Sequence, residues 1–294
     1  MDYEIVADRP CLLGEGPLWN GGEQKLFWSD IFDGKLYEFD PATGEHRQIY
    51  SGEQVGGFTF HAAGGFLLFG ERGSIRHFDG ATARDLISEL PAERLTRFND
   101  VIADPMGRVF AGTIPVPGQP ARLYRLDLDG SLRVVANDVG LSNGIAFSPD
   151  ETKLYYSDSG SAIIPACIYV FDYDRATGEI SNRQVFHAPD ASGDIPDGLT
   201  VDAEGYIWSA RHCQGCVIRF APDGREDYRV EVPASLVTSC TFGGDDLRDL
   251  YITSAGGQHR GEPAYGDWAG ALFRVRPGVE GLPERPARVE LPPE

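Results

Sequence analysis

The amino-acid sequence predicts an all-β fold, a six-bladed β-propeller that forms one domain over residues 1–294. Six strand-rich units recur along the chain, with second strands beginning near residues 26, 66, 109, 154, 207 and 250. Thirty-six glycines and twenty prolines without a collagen-like period indicate many tight turns, and long stretches of helical periodicity are missing. A β-sandwich would not produce six evenly spaced units, whereas a propeller repeats a four-stranded blade at this interval.

The first unit shows the pattern of one blade. Four short runs rich in aromatic and β-branched residues, GPLWN (16–20), KLFWSD (25–30), KLYEFD (35–40) and HRQIY (46–50), are separated by turns rich in Gly, Asp and Pro. This alternation of strand residues and turn residues is typical of antiparallel strands joined by hairpins.

The later units repeat this pattern in chain order. The second unit has its run near Phe66, and the third to sixth contain VFAGT (109–113), LYYSD (154–158), GYIWSA (205–210) and LYITSA (250–255). Each of these runs in the last four units is followed by a turn and a further strand. A closed ring must also cover the edges of its end blades, because an open sheet edge invites aggregation. We expect residues 3–8 or residues 286–291 to supply the outer strand of the last blade.

Composition limits the possible partners and locations. The formal charge of −19 opposes binding to phosphate backbones, so we expect no nucleic-acid partner, and it is compatible with cation binding. No apolar stretch approaches the length of a membrane span, and the first ten residues do not resemble a signal peptide. Five scattered cysteines fit free thiols in a reducing compartment, so we expect a cytoplasmic protein.

Polar or small residues recur at one position of the repeat. Each lies ten or eleven residues before the second strand of its unit, and the six positions hold Glu15, Gly56, Asn99, Asn143, Asp197 and Ser239. In a propeller the first strand of each blade lines the central channel, so these positions should meet at one channel mouth. Any one of these side chains could simply cap a local turn, but four oxygen-bearing ones at equivalent positions predict a binding site.

The chemistry of these four side chains favours a metal. Glu15, Asn99, Asn143 and Asp197 offer only oxygen ligands, which suits a hard divalent cation. Calcium is the first expectation, with magnesium, manganese or zinc as alternatives. The two carboxylates would balance the cation and would repel each other without it.

The motifs that carry these residues resemble those of the SMP-30/gluconolactonase family, which includes regucalcin and bacterial sugar lactonases. They are LGEGPLW (13–19), RFND with DPMGRVFAGT (97–113), LSNGIAFSPD with LYYSD (141–158) and PDGLTVDAEGYIW (196–208). The resemblance covers about residues 11–278. It implies a six-bladed propeller with one divalent metal held by Glu15, Asn99, Asn143 and Asp197. It also implies substrate contacts from Arg97 and Asn99. Better-known members carry a longer, charged loop where this chain has the proline-rich, uncharged residues 114–121.

The resemblance further implies hydrolysis of a sugar lactone to the sugar acid. In that reaction the metal polarises the carbonyl and Asp197 acts as the general base that activates water. Arg97 would orient the substrate, and Asp100 is interpreted as structural because strand alternation turns it away from Asn99. The substrate is therefore expected to be a small sugar lactone, while the particular lactone, the metal used in the cell and the oligomeric state stay open.

Two other functions remain as alternatives. One is a phosphotriesterase-like or paraoxonase-like calcium hydrolase, in which the metal-bound Asp can act as nucleophile, and the other is a non-enzymatic propeller scaffold. The G-x-S-x-G string around Ser142 is not interpreted as a nucleophile elbow, because strand residues rather than a helix follow it. The roles of Cys213 and Cys216, and of His212 and His259, are left open.

Overall fold

The structure is a computed structural model that describes residues 2–8, 10–189, 194–257 and 266–292. Within these ranges every regular element is a β-strand apart from one 3₁₀ turn at Pro91–Glu93. No helix among the described residues is long and apolar enough to cross a membrane. The strands, in chain order, are β1 (Glu4–Ala7), β2 (Gly14–Asn20), β3 (Lys25–Asp30), β4 (Lys35–Asp40), β5 (Glu45–Ser51), β6 (Val55–Phe60), β7 (Phe66–Gly70), β8 (Ile75–Phe78), β9 (Ala83–Ile87), β10 (Phe98–Ala103), β11 (Val109–Thr113), β12 (Ala121–Leu126), β13 (Leu132–Val139), β14 (Ser142–Phe147), β15 (Lys153–Asp158), β16 (Cys167–Tyr173), β17 (Ile180–His187), β18 (Ile195–Val201), β19 (Ile207–His212), β20 (Cys216–Phe220), β21 (Glu226–Glu231), β22 (Val237–Gly243), β23 (Asp249–Ser254) and β24 (Leu272–Val275).

These strands form six antiparallel four-stranded sheets, which are the blades of a propeller. Blades 1 to 5 each take four consecutive strands, from β2–β5 to β18–β21, and blade 6 has the order β1-β24-β23-β22. The innermost strands β2, β6, β10, β14, β18 and β22 contact one another in a closed cycle. The predicted six-bladed propeller is therefore confirmed, and the second strand of every blade begins within one residue of its predicted start.

The ring is closed by the N-terminal strand. Strand β1 pairs antiparallel with β24, and Ile5 lies opposite Phe273. This confirms the first of the two segments predicted for the outer strand of the last blade. Residues 286–291 do not supply that strand: Ala287 forms a parallel bridge with His61, and its N–H donates to the Phe60 carbonyl at 2.7 Å. The C-terminal segment thus runs across the face of the ring opposite the predicted mouth.

The hydrophobic core consists of layers between adjacent blades. One layer combines Phe27 and Leu36 of blade 1 with Phe58 and Leu68 of blade 2. Another packs Trp208 of blade 5 against residues of blade 6. Because successive side chains of a strand point to opposite faces of its sheet, each blade contributes side chains to the core layers on both of its faces. The aromatic strand runs therefore hold neighbouring blades at fixed angles around the axis.

Every innermost strand carries a register irregularity near its mouth end. The pairing with the second strand shifts between Glu15 and Leu18 in blade 1, and the other blades show shifts at Val55/Gly57, Phe98/Val101, Ser142/Ile145, Pro196/Leu199 and Val237/Ser239. A bulge of this kind re-aims a side chain and bends the strand locally. The six repeat positions lie at or beside these shifts, so the fold presents them to the channel in the same way.

Candidate active site at the channel mouth

A cavity of about 830 Å³ opens at the mouth of the channel. It brings together all five residues that the sequence assigns to the site, namely Glu15, Arg97, Asn99, Asn143 and Asp197. The remaining repeat positions, Gly56 and Ser239, are not among its lining residues. Residues far apart in the chain therefore meet here because each lies at the same point of its own blade.

The two amide side chains form a directed hydrogen-bond chain. The Asn99 Nδ2 donates to the Ser142 carbonyl at 2.8 Å and to Asn143 Oδ1 at 2.9 Å. This arrangement turns Asn99 Oδ1 toward Arg97, whose Nη1 donates to it at 2.6 Å. Both amide oxygens keep a second lone pair for another partner, since an amide oxygen accepts two hydrogen bonds.

Ser159 fixes the orientation of the second amide. The Asn143 Nδ2 donates to Ser159 Oγ at 2.7 Å, and Ser159 Oγ donates in turn to the Pro196 carbonyl at 2.6 Å. Because the hydroxyl proton is committed to Pro196, the Ser159 oxygen is left to accept from Asn143. The relay links blades 4 and 5 next to Asp197.

The two carboxylates are buried close enough to oppose each other's ionisation. Burial raises the pKa of Glu15 well above its ordinary value, and the charges of Asp197 and Asp100 raise it further, against a hydrogen bond from the Gly16 N–H. Burial also raises the pKa of Asp197, while His212 and Arg97 lower it. A buried pair of like charges needs a compensating cation if both groups are to be ionised at neutral pH.

Arg97 is a buried cation beside these groups. Its Nη1 donates both to the Phe98 carbonyl at 2.8 Å and to Asn99 Oδ1 at 2.6 Å, and its side chain lines the cavity. These contacts hold the guanidinium flat against β10, and its charge lowers the pKa of both Glu15 and Asp197. The arginine is thus positioned to donate to an oxygen atom of a molecule in the cavity.

His212 also lines the cavity, although the sequence assigned it no role. Its Nδ1 lies 3.3 Å from Asp197 Oδ2, and its side chain is 30% exposed. The residue ends β19, the strand that returns to the mouth after β18. The second strand of each blade ends at the channel mouth, and this position in the repeat is the signal that could have identified His212. The other histidine left open, His259, lies outside the described residues.

Asp100 differs from its sequence interpretation in one respect. Strand alternation predicted that Asp100 points away from the mouth, and Asp100 indeed does not line the mouth cavity. It faces instead an interior cavity of about 60 Å³ that is also lined by Glu284. Burial and the charge of Asp197 raise its pKa to about 7. Asp100 is therefore electrostatically connected to the site, because the bulge between Phe98 and Val101 keeps it near the axis.

The remaining sequence motifs are not among the residues that line the mouth cavity. Ser142 begins strand β14, which leads into β15 rather than a helix, so the geometry of a nucleophile elbow is missing. Cys213 and Cys216 flank the hairpin between β19 and β20, and the first is exposed whereas the second is buried. Trp28 and Trp208 are buried in the core.

The donor set at the mouth fits a hard divalent cation. It offers two carboxylates and two amide oxygens in a buried pocket, the ligand type that calcium and magnesium prefer. Among the described residues no group of three or more His, Cys, Asp or Glu side chains is arranged for a metal, so a site here must include the amides. This ligand chemistry argues against a thiolate-rich or histidine-rich zinc centre.

The ring of blades and the oxygen-lined axial pocket define a class of β-propeller with a polar site at one channel mouth. A model of the SMP-30/Gluconolactonase/LRE-like region matches residues 13–256, so the chain belongs to this family. The resemblance inferred from the sequence motifs is therefore confirmed.

Individual relatives are similar over nearly the whole chain. The pentonolactonase XacC of Haloferax volcanii is 41% identical and covers 99% of this chain and all of its own length. The 6-deoxy-6-sulfogluconolactonase of Pseudomonas putida is 36% identical over 96% of this chain and 97% of its own. Among solved structures, the calcium-binding protein regucalcin of Agrobacterium tumefaciens superposes with a TM-score of 0.84 at 26% identity. That match covers 97% of this chain and 96% of that one.

Proposed function

We propose that this protein is an enzyme that hydrolyses a sugar lactone to the sugar acid at the channel mouth, with the help of one divalent cation. The observation that carries the proposal is the pairing of two buried carboxylates, Glu15 and Asp197, in one cavity with two amide oxygens and a guanidinium. Relatives that are named lactonases are similar in sequence to this chain over almost its full length. Residues 1–294 act as one domain in this proposal, since the site needs residues from blades 1, 3, 4 and 5.

The residues that would hold the cation are Glu15, Asn99, Asn143 and Asp197, with calcium as the first candidate. When bound, a divalent cation supplies a Lewis acid that polarises an ester carbonyl and neutralises the two carboxylates. This role is consistent with the raised pKa of both Glu15 and Asp197 in its absence.

Asp197 acts as the general base in this proposal. Its carboxylate takes a proton from the water that attacks the lactone carbonyl, and the proton then passes to the ring oxygen as the ester bond breaks. His212 stands 3.3 Å from one carboxylate oxygen and lowers the pKa of Asp197, so it helps to keep the base ionised. Arg97 and Asn99 orient the substrate, since both side chains line the cavity and are hydrogen-bonded to each other.

The proposal is tested by removing the cation and the base separately. We expect exhaustive chelation to abolish acid release from a panel of aldonolactones, and a single divalent cation to restore it. Asp197→Asn should lower kcat by at least about a hundredfold, because proton transfer by a positioned group contributes 10²–10⁴-fold. Asp223→Asn, which changes an exposed carboxylate in a turn of blade 5, is the matched control.

Two outcomes would contradict the proposal. Hydrolysis that survives exhaustive chelation would remove the cation from the mechanism, and unchanged hydrolysis by Asp197→Asn would favour a scaffold with a contaminating activity. Transfer of oxygen-18 from labelled water into the protein would replace the general-base scheme by a nucleophilic Asp197, as in the paraoxonase-like alternative.

The names of the relatives do not indicate whether the substrate is charged. One is named for a pentonolactone and the other for a hexonolactone that carries a sulfonate group. In the proposed mechanism Glu15, Asn99, Asn143 and Asp197 serve the ester group, whichever kind of lactone binds. The residues of the cavity wall must therefore decide which kind of lactone binds.

A further inference from the structure

The mouth cavity has one basic wall that the proposed chemistry does not use. Its volume of about 830 Å³ lies near the upper end of ordinary ligand pockets and leaves room beyond a single sugar ring. Glu15 and Asp197 lie at the floor, whereas Arg72 and Arg94 line the cavity from loops of blades 2 and 3. We call Arg72 and Arg94 together the arginine wall.

The arginine wall is held in place by its backbone. The Arg72 N–H donates to the Thr96 carbonyl at 2.8 Å, and the Leu90 N–H donates to the Arg72 carbonyl at 2.9 Å. Glu71 forms an antiparallel bridge with Arg97, which ties the same loop to the start of the site strand β10. The backbone that carries Arg72 is therefore tied to the segment that leads into the site strand β10.

The two guanidiniums of the wall share one carboxylate. Arg94 Nη2 lies 2.6 Å from Glu89 Oε1, and Arg72 Nη2 contacts Glu89 Oε2. Their side chains are 66% and 59% exposed, so several N–H donors remain accessible. One carboxylate cannot neutralise two guanidiniums, so the group formed by Arg72, Arg94 and Glu89 has a net positive charge. This local positive charge stands out on a protein whose formal charge is −19.

We propose that the arginine wall binds an anionic group on the substrate, so that the preferred substrate is an aldonolactone with an oxyanion at the end remote from the ester. This inference rests on the proposed function and adds the substrate class to it. A phosphate, sulfonate or carboxylate group would accept charge-assisted hydrogen bonds from Arg72 and Arg94. A neutral hydroxyl would exchange hydrogen bonds with water at little gain. Because both guanidiniums are exposed, the preference is sensitive to salt.

The test compares an unsubstituted aldonolactone with its 6-phosphorylated form. We expect the wild-type protein to show a kcat/KM about tenfold higher for the phosphorylated lactone at low salt, with a smaller ratio at high salt. The double variant Arg72→Gln/Arg94→Gln should bring this ratio close to one. The control Arg225→Gln, an exposed arginine in a blade 5 turn, should keep the wild-type ratio. Lactones with a sulfonate or a carboxylate at the same carbon distinguish which oxyanion fits best.

The failure of this inference differs from the failure of the proposed function. Hydrolysis of neutral lactones without any preference for the charged forms, or a preference that survives the double variant, overturns the arginine wall alone. If no lactone is hydrolysed, the proposed function fails. In that case calorimetry compares how tightly the wild type and the double variant bind the ring-opened phosphorylated acid. Equal affinity would contradict anion binding by the arginine wall, and weaker binding by the variant would support it.

Discussion

At the scale of single residues, the orientation of Asn143 depends on a hydroxyl that no repeat position marks. Ser159 accepts from Asn143 Nδ2 at 2.7 Å while its own proton is donated to the Pro196 carbonyl, so the hydroxyl is not available as a donor to Asn143. With this relay intact, Asn143 presents Oδ1 to the cavity side shared with Asn99. Without it, the amide could rotate and present a donor where an oxygen ligand is needed.

We therefore predict that Ser159→Ala weakens binding of the divalent cation by about tenfold, in the range expected for loss of a supporting group behind a ligand. Calorimetric titration of the chelated protein with calcium measures this directly. Ser159→Thr retains a hydroxyl and should recover most of the affinity, while Ser161→Ala in the following loop is the control. Unchanged calcium affinity in Ser159→Ala would show that Asn143 is not held by this relay.

The repeat made four site residues predictable, but not their supports. Glu15, Asn99, Asn143 and Asp197 share one position of the first strand, so their convergence follows from the blade period alone. Ser159 and His212 lie where second strands return to the mouth, at positions whose residue types vary between blades. Their roles depend on contacts of 2.6–3.3 Å with residues of neighbouring strands, which a strand pattern does not specify.

At the scale of elements, the innermost strands combine a bulge with close backbone contact. A Cβ added at Gly144 would lie 2.2 Å from the Leu199 backbone nitrogen, so β14 and β18 can approach this closely only because this position lacks a side chain. The same bulges explain why simple alternation described Asp100 incompletely. The sequence predicted the strands and their order. The direction of each side chain depends on the local twist, and this twist can be described only once the pairing register of the strands is known.

We predict that Gly144→Ala lowers both the thermal stability and the calcium affinity, since the methyl group must displace the backbone beside Asp197. The cost in free energy of unfolding should be about 1–3 kcal/mol, as for other overpacked buried positions. Gly21→Ala is the matched control, because a Cβ at Gly21 meets no atom within 4 Å. Thermal melts and calcium titrations of the two variants check this, and equal behaviour of both would contradict a packed contact between the blades.

At the scale of the whole molecule, the axis of the ring concentrates acids that prefer to be protonated. Burial raises the pKa of Glu284 to about 7 at the far end of the channel, and burial together with Asp197 raises that of Asp100 to about 7. The pKa of Glu15 is raised as well. The C-terminal segment that carries Glu284 is anchored across the ring by hydrogen bonds such as that from Arg288 N–H to the Gly107 carbonyl. The C-terminal segment thus places a titratable group at the end of the channel opposite the site.

These shifts predict how the stability of the cation-free protein depends on pH. An acid whose pKa is higher in the folded than in the unfolded state binds more protons when folded, so the free energy of unfolding falls as pH rises between the two values. For Asp100 and Glu284 this interval extends from about 4 to about 7, and the fall should level off above it. Urea unfolding in a chelating buffer from pH 4.5 to 8.5 measures the slope of the free energy of unfolding against pH.

Glu284→Gln should make this slope shallower. Glu290→Gln, at an exposed position, should leave the slope unchanged and so controls for general repulsion between surface charges. Added calcium should restore stability most at the upper end of the range, because it binds only the folded protein and neutralises the ionised carboxylates at the mouth. A stability that is flat or rises with pH in chelator, or a slope that Glu284→Gln does not alter, would show that these axial acids are ionised without cost.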